Sequence, residues 1–436
     1  MMSRTILIVL YTLISLLNSV NAQIKDGILT DDGAWCWFSD PRAIMTHDGM
    51  VMTGWVKKDG SIEAAEFNPV DGSVDTKILY PQLEYDDHDN PAFAELPDGS
   101  IIAMYAWHGS KRGIIWQKTD QSGEVGTFSS PTIIRPGIET LLPHFPRETF
   151  TYANPYYLSD EKTLYSFGRW IGYKPNWIKS TDGGNTWEDE KVIISRKPFD
   201  PNNRPYVKYI SDGKSRIHLV FTDGHPRIEP LNSVYHCYYE NNAFWRSDGS
   251  KICDADELPF ETEQASVIYK ADSVSGRAWL ADIGLDDEGT PYVLYTRHPK
   301  ETDHRYHYSW YNNAAQKWED HEICKAGRWF PQTQPGKEER EQHYHGNLTI
   351  HPSKPNTIYL SRQINGKFEI EKRITSDKGK TWEVIPVTQN SIYDQVRPFI
   401  PKNTGPDDPT IILWMENHRY IHYTDYDTSI RYQIEP

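Results

Sequence analysis

Apolar residues along this chain come in short runs rich in Val, Ile, Tyr, Trp and Phe, and each run ends in turn residues instead of continuing with helical spacing. Leu96-Pro97-Asp98-Gly99-Ser100, Ser211-Asp212-Gly213-Lys214 and Asp286-Asp287-Glu288-Gly289 each separate two such runs, as hairpin connections do. No stretch reads as a stable amphipathic helix. The strands group into a unit that recurs seven times, with an entry marked by Arg, His or an aromatic residue, a strand, a turn, a second strand and an exit marked by His, Arg or Trp. The entries are Asp40-Pro41-Arg42, Asp87-His88-Asp89-Asn90-Pro91, Tyr152-Ala153-Asn154-Pro155, Asn203-Arg204-Pro205, Arg277-Ala278-Trp279, His345-Gly346-Asn347 and Val396-Arg397-Pro398. The exits are Trp55, His108, Arg169, His225, His298, Arg362 and His418. A self-similar unit of roughly 45 to 60 residues built from short strands marks a propeller blade. The pattern therefore predicts an all-β, seven-bladed β-propeller of four-stranded blades near 24–80, 81–140, 141–198, 199–265, 266–335, 336–388 and 389–436. Its ring is expected to close by pairing Ile24 to Leu29 with Ile430 to Ile434, which removes exposed strand edges. The polar stretch from Pro331 to Gln342 is expected to be a loop at the rim.

In such a ring the start of each first strand and the end of each second strand lie on one face. Arg42, His88, Tyr152, Arg204, Trp279, His345 and Arg397 are thus expected around one mouth of the channel, with the exit residues just outside. A concave mouth lined by His, Arg and Tyr is a candidate site. Strand-end Arg and His also occur as solvated or ion-paired structural groups, so the recurrence of the set carries more than any one member. Two segments, Ser180 to Trp187 and Thr375 to Trp382, follow the Asp-box pattern SxDxGxTW, with Thr first in the second copy. There Asp caps a tight turn and Gly supplies its backbone angle, a structural role on outer strands.

Residues 1–22 read as an export signal, with Arg4 at its start, an apolar run from Ile6 to Leu17 too short to span a bilayer, and Val20-Asn21-Ala22 before the cleavage point. The expectation is a secreted or periplasmic protein whose residues 23–436 form a single catalytic domain, with no membrane span and as a monomer. A net charge of −15 argues against a nucleic-acid partner, while a local cationic funnel can still capture an acidic polysaccharide. The four cysteines, Cys36, Cys237, Cys253 and Cys324, are too few for a disulfide scaffold. His236, Cys237, Cys253 and Cys324 are a candidate structural metal set, with His321 as an alternative histidine; buried free thiols or one disulfide are the simpler reading.

The chemistry is suggested as much by what the ring lacks. Most glycosidases need two carboxyl groups flanking the bond, and only neighbours such as Asp87 and Asp89 approach the ring positions. Elimination next to a uronate carboxylate needs that carboxylate neutralised, a base at C5 and an acid for the leaving oxygen, and Arg, His and Tyr are suited to these tasks.

The segments Trp35 to Arg42, Asp86-Asp87-His88-Asp89-Asn90-Pro91, Tyr105 to Gly109, Thr151 to Pro155 and Gly168-Arg169-Trp170 resemble the BNR-4 type of seven-bladed propeller, above all the ulvan lyases of polysaccharide lyase family 25, with family 24 related. The resemblance implies a lyase that cleaves a sulfated, uronate-containing polysaccharide by β-elimination. It implies that Arg169, helped by His108, neutralises the carboxylate and that His88 and Tyr152 divide the acid and base roles. For Tyr152 to be the base, Arg169 would have to lower a phenol pKa of about 10. Arg42, Arg204, Tyr209, His225, Trp279, His345 and Arg397 are expected as substrate contacts. The chemistry needs no cofactor, and the resemblance adds a structural zinc to the Cys/His reading. The competing readings are a BNR-4 glycoside hydrolase acting on rhamnose-glucuronate, a sialidase built on Arg42, Arg204 and Arg397, and a glycan-binding propeller without turnover.

Overall fold

The computed structural model describes residues 25–300, 302–327 and 346–435. The export-signal reading, His345 and the rim-loop stretch lie outside the described residues. Seven antiparallel sheets follow one another in chain order and form the predicted seven-bladed β-propeller. Their innermost strands are Ala43–Met45, Ala92–Glu95, Asn154–Leu158, Val207–Ser211, Arg277–Leu285, Leu348–His351 and Asp394–Phe399. Each falls inside the blade expected for it. The blades pack face to face through their apolar side chains; Phe167, Trp177, Tyr209 and Tyr239, for example, fill the space between the third and fourth. Burial of such large aromatic surfaces between sheets stabilises the ring.

Blade seven closes as expected. Lys25–Thr30 forms its outer strand, pairing antiparallel with Asp425–Glu435 so that Lys25 faces Ile434 and Ile28 faces Arg431. Blade four departs from the four-stranded expectation. It has six strands, because Val234–Glu240 pairs along its outer edge with both Ala243–Trp245, which in turn pairs with Lys251–Asp254, and Ser266–Tyr269. The long insertion before the fifth blade covers an edge that would otherwise be open.

The Asp-boxes lie where expected, between third and fourth strands. Asp182 accepts hydrogen bonds from the backbone N–H groups of Asn185 and Thr186 and from the hydroxyls of Ser180 and Thr186. Asp377 repeats these contacts with Thr375 and Thr381.

One feature of the top face was not legible in the repeat. After its closing strand the chain crosses the mouth of the channel, burying Trp35, Cys36, Trp37 and Phe38 there. This crossing segment is tied to five blades. Cys36 N donates to Asp87 O, Asp40 N to Asn154 Oδ1, Lys208 Nζ to Trp37 O, Trp37 Nε1 to Leu280 O and Trp35 Nε1 to Arg397 O. The mouth is thus plugged by aromatic side chains. Groups under the plug are removed from solvent, and any site must lie to one side of the axis.

Candidate functional site

Blade two supplies two imidazoles. The entry Asp87–Asp89 is a single 3-10 turn capped by Asp86, whose carboxylate accepts from His88 N and so fixes the histidine backbone. His88 Nδ1 lies 2.6 Å from Asp86 Oδ1, and His108 Nδ1 lies 2.8 Å from Asp86 Oδ2. The two rings stack, with centroids 4.0 Å apart, and Tyr423 meets both edge-on. Burial opposes charge on His88, but Cys36, Tyr152 and Asp86 outweigh it and hold its pKa well above the ordinary imidazole range. Burial and the neighbouring His88 cation lower that of His108. The pair therefore rests with His88 charged and His108 neutral.

Blade three supplies Tyr152 and Arg169. Tyr152 adopts a positive φ of 65°, and its carbonyl accepts from Trp170 Nε1 at 3.0 Å. A non-glycine residue in this region is strained and persists only where its surroundings fix it, commonly at functional sites. The Tyr152 ring centroid is 6.0 Å from that of His88. Arg169 is only 4% exposed. Its guanidinium lies 5.1 Å from the Tyr152 ring, 4.7 Å from Tyr173 and 4.9 Å from Tyr206. Its Nε and Nη1 have no hydrogen-bond partner in the protein. A buried guanidinium with two unmatched N–H groups is costly unless an anion completes it. Burial raises the Tyr152 pKa well above the ordinary phenol range, and the pull of His88 and Arg169 does not offset it. Burial therefore favours the protonated phenol and works against the lowering that a starting role as base would need.

Blades four and five complete the wall. His225 meets Trp279 edge-on at 4.2 Å and Tyr206 at 5.4 Å, and Phe38 of the crossing segment contacts Tyr152, Tyr206 and Trp279. Arg204 donates to the hydroxyl of Tyr173. The structure thus brings together His88, His108, Tyr152, Arg169, Arg204, His225 and Trp279 from the expected set. A small cavity of about 20 Å³ opens here, lined by Tyr152, Arg169 and Tyr206. A far larger one, about 730 Å³, lies at the opposite mouth among the strand-joining turns. There Arg216 is paired with Glu240 and Lys402 with Asp282, and the remaining Lys214 is exposed to solvent, so the buried guanidinium with unmatched N–H groups locates the site better than volume does.

Two expected substrate contacts are corrected. Arg42 is 2% exposed, donates to Cys36 O and stacks on Phe399 at 4.2 Å beneath the plug. Arg397 is fully buried, pairs with Asp87 at 2.7 Å and donates to Tyr420 at 3.0 Å. Both hold the crossing segment and the His88 turn in place, because the plug denies them the mouth. Tyr209 stacks on Phe167 at 4.5 Å and also lines the small cavity with Tyr152, Arg169 and Tyr206. The exits Trp55 and Arg362 are engaged by Glu63 and Glu371 of their own blades.

The metal reading also fails among the described residues. His236 faces away from Cys237 by strand alternation and contacts His218 and Ser247, while Cys324 lies on blade five. All four cysteines are free, and no ligand cluster includes Cys237, Cys253 or Cys324. A zinc would have no converging donor set there. The clusters that do converge, Asp86, His88 and His108 and also Cys36, Asp87 and His88, belong to the site, where hydrogen bonds and ion pairs account for the carboxylates and imidazoles.

Repeat reasoning missed Asp86, Tyr173, Tyr206 and Tyr423. Tyr206 follows the entry Arg204-Pro205 directly, so shifting the register of that repeat would have found it. Tyr173 and Tyr423 lie on connections outside the aligned strand ends, and the repeat gives no signal for them.

A family model described as BNR repeat-containing family member matches residues 51–326. Among solved structures, one described as a new family of polysaccharide lyase, a PL25 ulvan lyase bound to -[GlcA(1-4)Rha3S]-, is similar with a TM-score of 0.67 at 13% identity, covering 93% of this chain and 94% of that one. Polysaccharide lyase Uly1 is similar with a TM-score of 0.59 at 12% identity, covering 95% and 99%. At these identities the likeness shows a shared fold. No curated protein matches the chain in sequence. Among the described residues no helix is long and apolar enough to cross a membrane.

Proposed function

Because the chain belongs to the BNR repeat-containing family, and because a buried guanidinium stands unmatched among protonated phenol and imidazole groups, we propose that it is a polysaccharide lyase acting on a uronate-containing, sulfated polysaccharide of the ulvan type. The observation that carries this reading is Arg169, buried with Nε and Nη1 unpartnered. A uronate carboxylate would satisfy both N–H groups in bidentate fashion and lose the charge that resists proton removal at C5. His108, neutral and close to the same anion, assists.

Two proton donors are in place. Tyr152 keeps its proton at rest and can pass it to the glycosidic oxygen as that bond breaks. The His88 cation, its ring 6.0 Å from that of Tyr152, then stabilises the phenolate left behind. Asp86 and Asp87 hold the imidazoles and Arg397, so neither is a free carboxyl group for the hydrolytic mechanism, which needs two. With residues 1–22 read as an export signal, the polymer would be met outside the cytoplasm.

Incubation with polyuronates, including sulfated rhamnose-glucuronate polymers, tests the reading. Elimination creates a C4–C5 double bond conjugated to the carboxylate, seen as new near-ultraviolet absorbance. New reducing ends without that absorbance would establish hydrolysis instead, and tight binding without cleavage would establish a glycan-binding propeller.

A further inference from the structure

Positive charge in the cleft does not end at Arg169. Tyr173 lies on the connection between the second and third strands of blade three, directly after Gly172, and both residues have positive φ, 63° and 73°. Lys174 N donates to Ile171 O and Gly172 N to Arg147 O. The turn thus holds a half-buried phenol beside Arg169 and fastens the preceding loop, with Arg147, against it.

Three guanidiniums surround this ring. Those of Arg147, Arg169 and Arg204 lie 3.9, 4.7 and 5.2 Å from its centroid. Arg204 donates to the Tyr173 oxygen, and its Nε is buried without a partner. The phenol proton has no acceptor among the described residues, so Tyr173 is left with an O–H to donate. Arg147 is placed by one nitrogen, Nη1, which donates to Pro201 O and Asn202 Oδ1. Lys174 Nζ donates to Asp200 O and Asn203 O, and so ties the segment that leads to Arg204 to the Tyr173 turn. Neutral groups therefore position these cations. Among the described residues none of the three guanidiniums is within ion-pair distance of a carboxylate, in a chain of net charge −15. The acids of this region are engaged elsewhere: Asp200 accepts from Asn202 N, and Glu229 pairs with Arg196 and accepts from Asn203. Like charges held this close repel, and a single carboxylate bound at Arg169 offsets one of three.

We propose that Arg147, Arg204 and Tyr173 form a second anion-binding subsite beside the carboxylate site of Arg169, which takes a sulfate ester or a carboxylate on the sugar adjoining the uronate that is cut. The proposal rests on the lyase reading and adds to it a requirement on the polymer. Arg169 holds the unit undergoing elimination, and the second subsite selects chains that carry a further negative charge next to it. Two guanidiniums and the Tyr173 O–H supply charge-assisted donors to the oxygens of such a group. A neutral neighbouring sugar would leave the buried Arg204 Nε unmatched and the two cations without a counter-charge.

The test compares the parent with Arg147→Met, Arg204→Met and the double variant, in which an apolar stem keeps the packing and the charge is gone. Formation of unsaturated ends is followed on a sulfated rhamnose-glucuronate polymer, on the same polymer after desulfation, and on polyglucuronate. If the second anion is a sulfate, the KM of the double variant rises at least ~10-fold on the sulfated polymer and the gap from the parent closes on the desulfated one. If it is the carboxylate of a neighbouring uronate, the rise appears on polyglucuronate. Arg204→Lys, which restores the charge, should recover part of the loss, and the half-exposed Arg147→Met keeps the test open should Arg204→Met fail to fold. A loss as large on the desulfated polymer as on the other two, or parent-like KM on all three, would overturn the proposal. Failure of the parent to form unsaturated ends from any of them would sink the lyase reading alone, and calorimetric binding then decides the subsite. Tighter parent binding of the sulfated or polyglucuronate oligosaccharide than of the desulfated one, with the difference lost in Arg147→Met, sustains it; equal affinities overturn it.

Discussion

His88 and His108 lie face to face, 4.0 Å between ring centroids and 13° between planes, and a single carboxylate, Asp86, meets the Nδ1 of both. Two imidazolium ions so close would repel, so the pair carries one charge at neutral pH, on His88. Ring-proton NMR should show one histidine of the pair charged well above pH ~6.5 and the other neutral below it. In Asp86→Asn the anion that offsets burial is lost, so the His88 pKa should fall. Two ordinary titrations in the parent would refute the coupling.

Tyr152→Phe retains the ring contacts with Phe38 and His88 and removes only the phenol oxygen. Turnover is expected to drop at least ~10²-fold if that oxygen protonates the leaving group. Comparison of kcat with KM for unsaturated product checks this, since a mere packing defect would also depress the melting temperature.

Arg169→Ala should be as damaging for another reason. It leaves a carboxylate un-neutralised in a site with a buried cation removed, so binding of uronate oligosaccharides weakens along with kcat, whereas Tyr152→Phe spares binding. Calorimetric titration with a resistant oligosaccharide separates the two outcomes. Equal affinity in Arg169→Ala would mean the carboxylate lies elsewhere.

Arg397 and Asp87 form a fully buried pair. Arg397→Met strands the Asp87 carboxylate under the plug and is expected to cost about 3–5 kcal/mol, read from denaturant unfolding. The pH dependence has a definite sign. Burial alone would raise the Asp87 pKa, but Arg397 and His88 hold it down at about 2. That stability is present above the unfolded carboxylate value near ~4 and is lost as pH falls toward the folded one. The parent should therefore lose stability over this window more steeply than Arg397→Met does.

Asp182→Ala in the first Asp-box removes a cap far from the cluster of Tyr152 and Arg169. A loss of roughly 1 kcal/mol, comparable to loss of a helix cap, is expected with kcat of the folded protein unchanged. A changed kcat would give the Asp-box a part in catalysis that its position on the outer strands does not suggest.

The chain sequence by itself determined the ring. Period-two strands, turn chemistry and seven recurrences specify blades because each is a local property, and the closure of Lys25–Thr30 onto Asp425–Glu435 follows from the last unit lacking a strand. It also put His88, His108, Tyr152 and Arg169 on one face among the other strand-end residues, since strand ends at equal register must share a face, while the family resemblance singled out those four. Tertiary structure decided which ring positions face solvent. Nothing local indicates that Trp35, Trp37 and Phe38 fold over the axis, yet that crossing turns Arg42 and Arg397 from mouth residues into buried braces. Protonation was likewise out of reach of sequence, because it is set by burial and by charges brought together from different blades. Tyr152 and Tyr173 are the same residue type only 21 positions apart. One is enclosed and keeps its proton; the other is ringed by Arg147, Arg169 and Arg204 and is drawn toward giving it up.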